Sequence, residues 1–176
     1  MKLRYRRLVL AAMCLALALV LPFLTGQIPE IGSALSPMHI PAFLCGFLCG
    51  PVWGTIVGAT APLLRHMLFG MPPLMAAIPM TFELAVYGLV TGLLFKFLRG
   101  KFLRVYISLI AAMIAGRIVW GIVMMLISIV QVSEFTFGAF IAGAVTGSVP
   151  GIICHIVLIP LIVLALERAN LIPEEK

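Results

Sequence analysis

The feature that most constrains this chain is a set of long apolar segments with almost no charge. Residues 8–24, for example, contain no charged side chain. Across the chain, 63% of the residues are hydrophobic and 10% are charged, whereas a soluble domain carries about 25% charged residues. So few charges cannot cover the surface of a water-soluble core. The apolar excess therefore faces lipid.

Bilayer thickness limits how many such segments can cross a membrane. A spanning helix needs about 20 mostly apolar residues, so the 176 residues leave room for about six helices. We expect an all-α membrane protein that forms a single integral membrane domain over residues 1–176. The predicted helices cover about residues 8–24, 39–50, 52–69, 80–98, 103–130 and 138–166, the last bent near Pro150 and Pro160.

Local sequence features decide three helix boundaries in this pattern. The first apolar run follows a basic start, as in a signal peptide, but it is long and lacks a small-x-small cleavage site, so we interpret it as an uncleaved helix. The second helix is too short to span without tilt. Residues 70–79 contain one glycine and three prolines, and because proline breaks helix interiors we expect no continuous helix there.

Basic residues set the expected orientation. Ten of the twelve Lys and Arg residues fall on one side of a six-helix chain: Lys2, Arg4, Arg6, Arg7, Lys96, Arg99, Lys101, Arg104, Arg168 and Lys176. The opposite loops hold only the acids Glu30 and Glu134. The positive-inside rule then places both termini in the cytoplasm of a multi-pass protein of the plasma membrane. The net charge of +6 marks topology, so we expect no nucleic-acid partner.

Four ionisable side chains lie within or at the ends of predicted helices. Arg65 and His66 end the third helix, Glu83 begins the fourth, and Arg117 lies midway along the fifth. Buried charge costs roughly 2.5–3.5 kcal/mol near the bilayer centre, so such groups face the bundle or a wet cavity. Glu83 can neutralise one arginine, and the second is left for a ligand bearing a carboxylate or phosphate. This account of nutrient capture would fail if protein groups already satisfied both arginines and no enclosed hollow lay beside them.

Structural alternatives remain for each of these residues. Glu83 could simply lock the fourth helix to Arg117, while Arg65 snorkels to the outer interface. A histidine at a helix end, such as His66, is often interfacial.

Three further residues are candidates for a ligand pocket. Tyr87 and Trp120 could line it, although aromatic residues in helices more often pack. His39, at the start of the second helix, could contact a ligand or cap the preceding loop. We interpret His155, in the inner half of the sixth helix, as structural.

Small residues recur every four positions, which favours close helix packing in lipid. We expect three internal packing seams between helices. They are formed by Gly46, Gly50, Gly54 and Gly58; by Gly88 and Gly92; and by Ala139, Gly143, Gly147 and Gly151. On the first helix, Ala12 and Ala16 form an Ala-x-x-x-Ala pair. That pair could pack inside the bundle or offer a smooth face to another membrane protein.

Motifs for catalysis and energy conversion are missing. The chain contains no G-x-x-x-x-G-K-[ST] phosphate loop, no H-E-x-x-H, no G-x-S-x-G and no aspartate. We therefore expect neither an enzyme nor a resident cofactor, and ATP, if used, is hydrolysed by another chain. Cys45 and Cys49 lack a second pair or a ring of carboxylates, so we interpret all four cysteines as small apolar residues and expect no metal.

Several short motifs, read together, resemble the substrate-binding S components of energy-coupling factor (ECF) transporters. The likeness covers nearly the whole chain and is carried by five groups of residues: Pro37-Met38-His39-Ile40-Pro41; Gly46, Gly50 and Pro51; Gly70-Met71-Pro72-Pro73; Phe82-Glu83-Leu84-Ala85 with Tyr87-Gly88; and Gly116-Arg117.

The resemblance implies a specific role. An S component binds a vitamin or related micronutrient from outside and joins a transmembrane T component and two ATPases. Its Ala-x-x-x-Ala docking face would correspond to Ala12 and Ala16. ATP hydrolysis by the partners reorients the S component and releases the ligand inside. Pantothenate, with one carboxylate, is the substrate toward which the resemblance points, and folate, another vitamin or a modified base stay open.

Two other classes of protein stay open at this point. A stand-alone secondary carrier or channel for a small anionic solute would need an ion-coupling site, for which one intramembrane glutamate is thin support. A small membrane enzyme acting on lipids would need a catalytic arrangement that the chain lacks.

Overall fold

The protein is an all-α bundle. The structure, a computed structural model, describes residues 2–25, 35–130, 136, 138, 141–142, 148–169 and 172. These residues form six long or medium α-helices and a 3-10 helix, with no strand among them: α1 (Lys2–Val20), the 3-10 helix (Leu21–Thr25), α2 (His39–Cys49), α3 (Pro51–Phe69), α4 (Leu74–Phe97), α5 (Phe102–Val130) and α6 (Val149–Arg168). The prediction of six helices is confirmed.

Two predicted boundaries are wrong. Helix α4 begins at Leu74, directly after the prolines at 72 and 73, so residues 74–79 are helical and Pro79 lies inside the helix. A proline early in a helix sacrifices a single amide bond, and the long apolar sequence that follows sustains the helix through it. Pro150 lies in the first turn of α6, where proline is tolerated, and not at an internal bend. Most of residues 138–147 lies outside the described residues.

Four segments are long and apolar enough to cross a membrane: Tyr5–Leu24, Leu74–Phe97, Phe102–Val130 and Val149–Arg168. Helix α3 has 19 residues but is less apolar. Helix α2, with 11 residues, is about 17 Å long at 1.5 Å per residue, well short of a hydrocarbon core of about 30 Å.

Helix α2 occupies the middle of the bundle. All eleven of its residues are buried, and it contacts α1, α3, α4 and α6. Its sequence, HIPAFLCGFLC, is apolar all the way round, which is the composition of a helix enclosed by protein. The short second helix is therefore a core element of the bundle.

Glycines bring α2, α3 and α4 into backbone contact. A Cβ placed on Gly88 of α4 would lie 2.2 Å from the carbonyl oxygen of Gly54 on α3. One placed on Gly46 of α2 would lie 2.7 Å from the carbonyl oxygen of Gly88. Gly58 and Gly92 face backbone atoms of the neighbouring helix in the same way. The predicted packing seams are confirmed for these five glycines. The prediction is wrong for Gly50, because a Cβ placed on it would meet no atom within 4 Å. Residues 139, 143 and 147 lie outside the described residues.

A sharp turn at Gly50 allows α2 and α3 to lie side by side. Gly50 has a φ of +89°, a region that residues with a side chain rarely adopt, and its amide donates to the Gly46 carbonyl at 3.1 Å. Pro51 follows as the first residue of α3. The chain thus reverses direction within two residues and passes next to α4.

Two sets of contacts define the ends of the bundle. At one end, Arg65 near the end of α3 donates to the Leu19 carbonyl of α1, and the rings of Phe23 and Phe69 pack edge to face at 5.0 Å. At the other end, Arg104 of α5 pairs with Glu167 of α6 and lies 4.2 Å from the ring centre of Phe95 on α4.

These contacts indicate which end of the bundle carries the basic segments. The start of α1, the connection between α4 and α5, and the end of α6 all lie at the Arg104 end of the bundle. The predicted grouping of basic residues on one side therefore agrees with the helix directions.

We predict that Gly54→Ala destabilises the bundle by about 1–3 kcal/mol, because the added methyl would overlap the α4 backbone. The thermal unfolding midpoint in detergent measures this. Val52→Ile, which adds one carbon to an exposed residue of the same helix, is the matched control. Equal midpoints for the two variants would contradict the role of the glycine contact.

Candidate functional site

Polar side chains from four helices meet inside the bundle. We call this group the Glu83 cluster; it consists of His39 and Phe43 of α2, Glu83 and Tyr87 of α4, Arg117 of α5 and His155 of α6. Four of the predicted site residues are therefore brought together: His39, Glu83, Tyr87 and Arg117.

Glu83 is the centre of the cluster and is 1% exposed. Its Oε1 atom accepts a hydrogen bond from the Tyr87 hydroxyl at 2.5 Å and lies 3.1 Å from Arg117 Nη1. His39 Nε2 lies 3.6 Å from the same oxygen, just beyond hydrogen-bonding distance. A buried carboxylate requires such compensation, so the pairing with Arg117 also ties α4 to α5.

Local sequence explains how these groups reach one another. Glu83 and Tyr87 are four residues apart and so share one face of α4. Gly116, beside Arg117, is buried, and a Cβ there would lie 2.2 Å from Tyr87 Cε1. The missing side chain at Gly116 therefore leaves the space that the Tyr87 ring occupies next to α5.

Aromatic rings form one wall of the cluster. Phe43 stacks on Tyr87 with ring centres 4.3 Å apart, and His39 stacks on His155 at 5.8 Å with an interplanar angle of 19°. His39 and Phe43 are again four residues apart, on one face of α2. The cluster thus combines a charged pair with flat ring surfaces.

Three imidazole nitrogens in the cluster have no hydrogen-bond partner. They are Nδ1 and Nε2 of His39 and Nε2 of His155, and both histidines are 3% exposed. An unpartnered buried polar group costs about 1–3 kcal/mol, and a bound polar molecule would remove that cost.

Sequence reasoning missed two members of the cluster. His155 was interpreted as structural, yet its ring stacks on His39. Phe43 was not singled out. The available signal was a buried histidine on an otherwise apolar helix for His155, and the four-residue spacing from His39 for Phe43.

Arg65 makes its contacts outside the Glu83 cluster. It is 3% exposed, donates from Nη1 to the Leu19 carbonyl and lies over the rings of Phe23 at 4.8 Å and Phe69 at 5.4 Å. Both intramembrane guanidinium groups therefore have protein partners, since Arg117 pairs with Glu83. The argument for an anionic ligand from a waiting arginine loses its support.

Two further predicted site residues, His66 and Trp120, are not members of the Glu83 cluster as defined above. His66 Nδ1 lies 2.8 Å from the Pro72 carbonyl oxygen, so its ring holds the loop between α3 and α4. Trp120 is partly buried one turn after Arg117 on α5.

Ala12 and Ala16 lie on the outer face of α1, where both are exposed, while Ala11, Cys14 and Ala18 of the same helix face the core. Of the two alternatives for the Ala-x-x-x-Ala pair, the structure favours the outward face.

One groove on the surface is apolar. It has a volume of about 310 Å³, lies between α4 and α5 and is lined by Met75, Ile78, Val123, Leu126, Ile127 and Val130. It offers a polar ligand nothing to bind. Within the described residues no group of His, Cys or Glu side chains is arranged to hold a metal ion.

We predict that Arg117→Gln destabilises the protein by about 3–5 kcal/mol, because the Glu83 carboxylate would remain buried without its cation. The double variant Glu83→Gln with Arg117→Gln removes both charges and should be more stable than Arg117→Gln alone. Thermal unfolding in detergent measures both. Arg99→Gln, at an exposed position, is the control, and additive losses in the double variant would argue against the pairing.

Comparison with known proteins identifies the family of the chain. No curated protein and no solved structure matches the chain. A family model described as "ECF transporter, substrate-specific component" matches residues 6–166, a range that includes most of α1, all of α2 to α5 and most of α6. The chain therefore belongs to the family of substrate-specific components of ECF transporters.

Proposed function

We propose that this chain is the membrane-embedded S component of an ECF-type importer that captures a vitamin or related micronutrient from outside the cell. Delivery to the inside depends on a T component and two ATPases that hydrolyse ATP, since the chain has no phosphate-binding motif of its own. In this role the chain is not an enzyme and carries no cofactor.

The observation that supports this proposal is the Glu83 cluster. Buried polar groups in a bundle this apolar are costly, so they are kept for a reason. Much of the cluster is self-compensating, but Nδ1 of His39 and Nε2 of His155 have no hydrogen-bond partner. We place the substrate against these two histidines, with Tyr87 and Arg117 holding Glu83 beside it.

We further propose that α1 is the docking surface for the T component. Its outer face carries Ala12 and Ala16 between larger exposed side chains such as Val9, Met13 and Val20. Small residues let a second transmembrane helix approach closely, which is how helices associate in lipid.

Orientation follows the positive-inside rule. We place the Arg104 end of the bundle, with both termini, in the cytoplasm, and the loop that contains Pro72 outside. The Glu83 cluster lies nearer the outer end, because Glu83 is ten residues into a 24-residue helix that starts there.

We predict that a fluorescent protein fused after the C-terminus folds in the cytoplasm and fluoresces, while alkaline phosphatase fused at the same place stays inactive. The reverse pattern would contradict the orientation. An expression blot for both fusions is the control.

We predict that Ala12→Leu or Ala16→Leu reduces co-purification with the T component and ATPases at least tenfold, because the larger side chain blocks helix approach. Pull-down from membranes that contain all subunits measures this. Ala76→Leu, the same change at an exposed position on α4, should leave co-purification intact. Equal recovery of all three variants would refute the docking face.

Substrate capture is tested by mass spectrometry of the small molecules retained by the purified chain after incubation in yeast extract. A retained compound that is released only on denaturation is the expected result. Uptake by the chain alone in liposomes under an ion gradient would instead indicate a stand-alone carrier.

A further inference from the structure

The charge balance of the Glu83 cluster bears on the substrate. Arg117 contributes one positive charge and Glu83 one negative charge, and their contact at 3.1 Å pairs them. Glu83 is 1% exposed and already neutralises Arg117, so a substrate carboxylate on the remaining N–H groups of this guanidinium would add a second negative charge against one cation. A carboxylate that displaced Glu83 would leave it buried without its cation, a loss of several kcal/mol.

Lysine and arginine are scarce away from the basic segments. Of the twelve Lys and Arg residues, ten fall in the basic segments that the positive-inside rule assigns to the cytoplasm, and the other two are Arg65 and Arg117. Arg65 is enclosed by Leu19, Phe23 and Phe69. In the sequence, residues 26–34, 131–135 and 143–147 contain no Lys, Arg or His, and they include Glu30 and Glu134.

The free hydrogen-bonding capacity is that of imidazole. A neutral histidine offers one donor and one acceptor. Nδ1 of His39 and Nε2 of His155 have no hydrogen-bond partner, whereas Nε2 of His39 faces Glu83 Oε1 at 3.6 Å. A ligand that satisfies them needs its own acceptor and donor, as in a carboxamide, lactam, ureido or hydroxyl group. The stacked pairs Phe43–Tyr87 and His39–His155 provide flat surfaces beside these nitrogens.

We propose that the substrate is an uncharged compound that meets His39 and His155 through paired donor and acceptor groups, and that no carboxylate or phosphate binds Arg117. This rests on the proposed function, since it assigns the substrate class of the same site. It departs from the expectation of an anionic nutrient such as pantothenate.

The first experiment uses yeast extract as the probe. The purified chain in detergent is equilibrated with the extract, washed, denatured, and the released molecules are identified by accurate mass and fragmentation. An uncharged compound supports the proposal. A compound with a carboxylate, a phosphate or a fixed positive charge overturns it while leaving the proposed function in place. Retention of no compound counts against the proposed function, and the substrate class fails with it.

A second experiment titrates the identified compound against variants. His39→Phe keeps a ring but removes both nitrogens, and we expect at least a tenfold loss of affinity. Tyr106→Phe, which removes a hydroxyl from an exposed position on α5, is the control for a small change in an aromatic residue. An unchanged affinity in His39→Phe overturns the contact.

The charge-neutral double variant separates an uncharged substrate from an anion. If Arg117 only balances Glu83, the variant Glu83→Gln with Arg117→Gln should bind the compound at least tenfold more tightly than Arg117→Gln alone. If Arg117 binds the substrate directly, the double variant should be as weak as the single one, and that result overturns the proposal. Circular dichroism and gel filtration confirm that each variant is folded.

Discussion

The close approach of α2, α3 and α4 at their glycines is the contact on which the rest of the molecule depends. Where Gly46, Gly54 and Gly88 meet, backbone touches backbone, and no larger residue would allow it. That approach holds the short helix α2 against α4, and so sets His39 beside Glu83. The site is thus a product of helix packing, because its members come from four helices that must be held at fixed spacing.

The electrostatics of the bundle follow a simple division. Charges at the Arg104 end lie near water and mark the side of the membrane, and one of them, Arg104, also bridges α5 to α6 through Glu167. Charges within the bundle are compensated one by one: Arg117 by Glu83, and Arg65 by a carbonyl oxygen and two aromatic faces. What remains uncompensated is the neutral hydrogen-bonding capacity of two histidines. A ligand at the Glu83 cluster would therefore meet unsatisfied histidine nitrogens, whereas the charges of Arg117 and Glu83 are already paired.

Much of the architecture could be predicted from the sequence, because in a membrane protein the length of apolar runs and the placement of Lys and Arg are direct physical constraints. The glycine spacing also predicted the packing seams. The start of α4 could not be predicted, because the helix-breaking effect of one proline near a helix end is smaller than the helix-stabilising effect of the apolar sequence around it. The surroundings of Arg65 and His155 were equally out of reach, because the partners of a buried side chain belong to other helices and depend on how these rotate about their axes. The resemblance to S components included the Gly116-Arg117 pair, and the structure supplies a reason for that pair, since the glycine makes room for Tyr87.

The enclosure of α2 has a consequence for how the protein responds to its membrane. Transmembrane segments tilt or compress when the hydrocarbon thickness changes, because their lengths must match it. All eleven residues of helix α2 are buried among the described residues, and the helix is too short to span that thickness. Hydrophobic mismatch would therefore act directly on the membrane-spanning helices, and the part of the site carried by α2 would move with its protein neighbours.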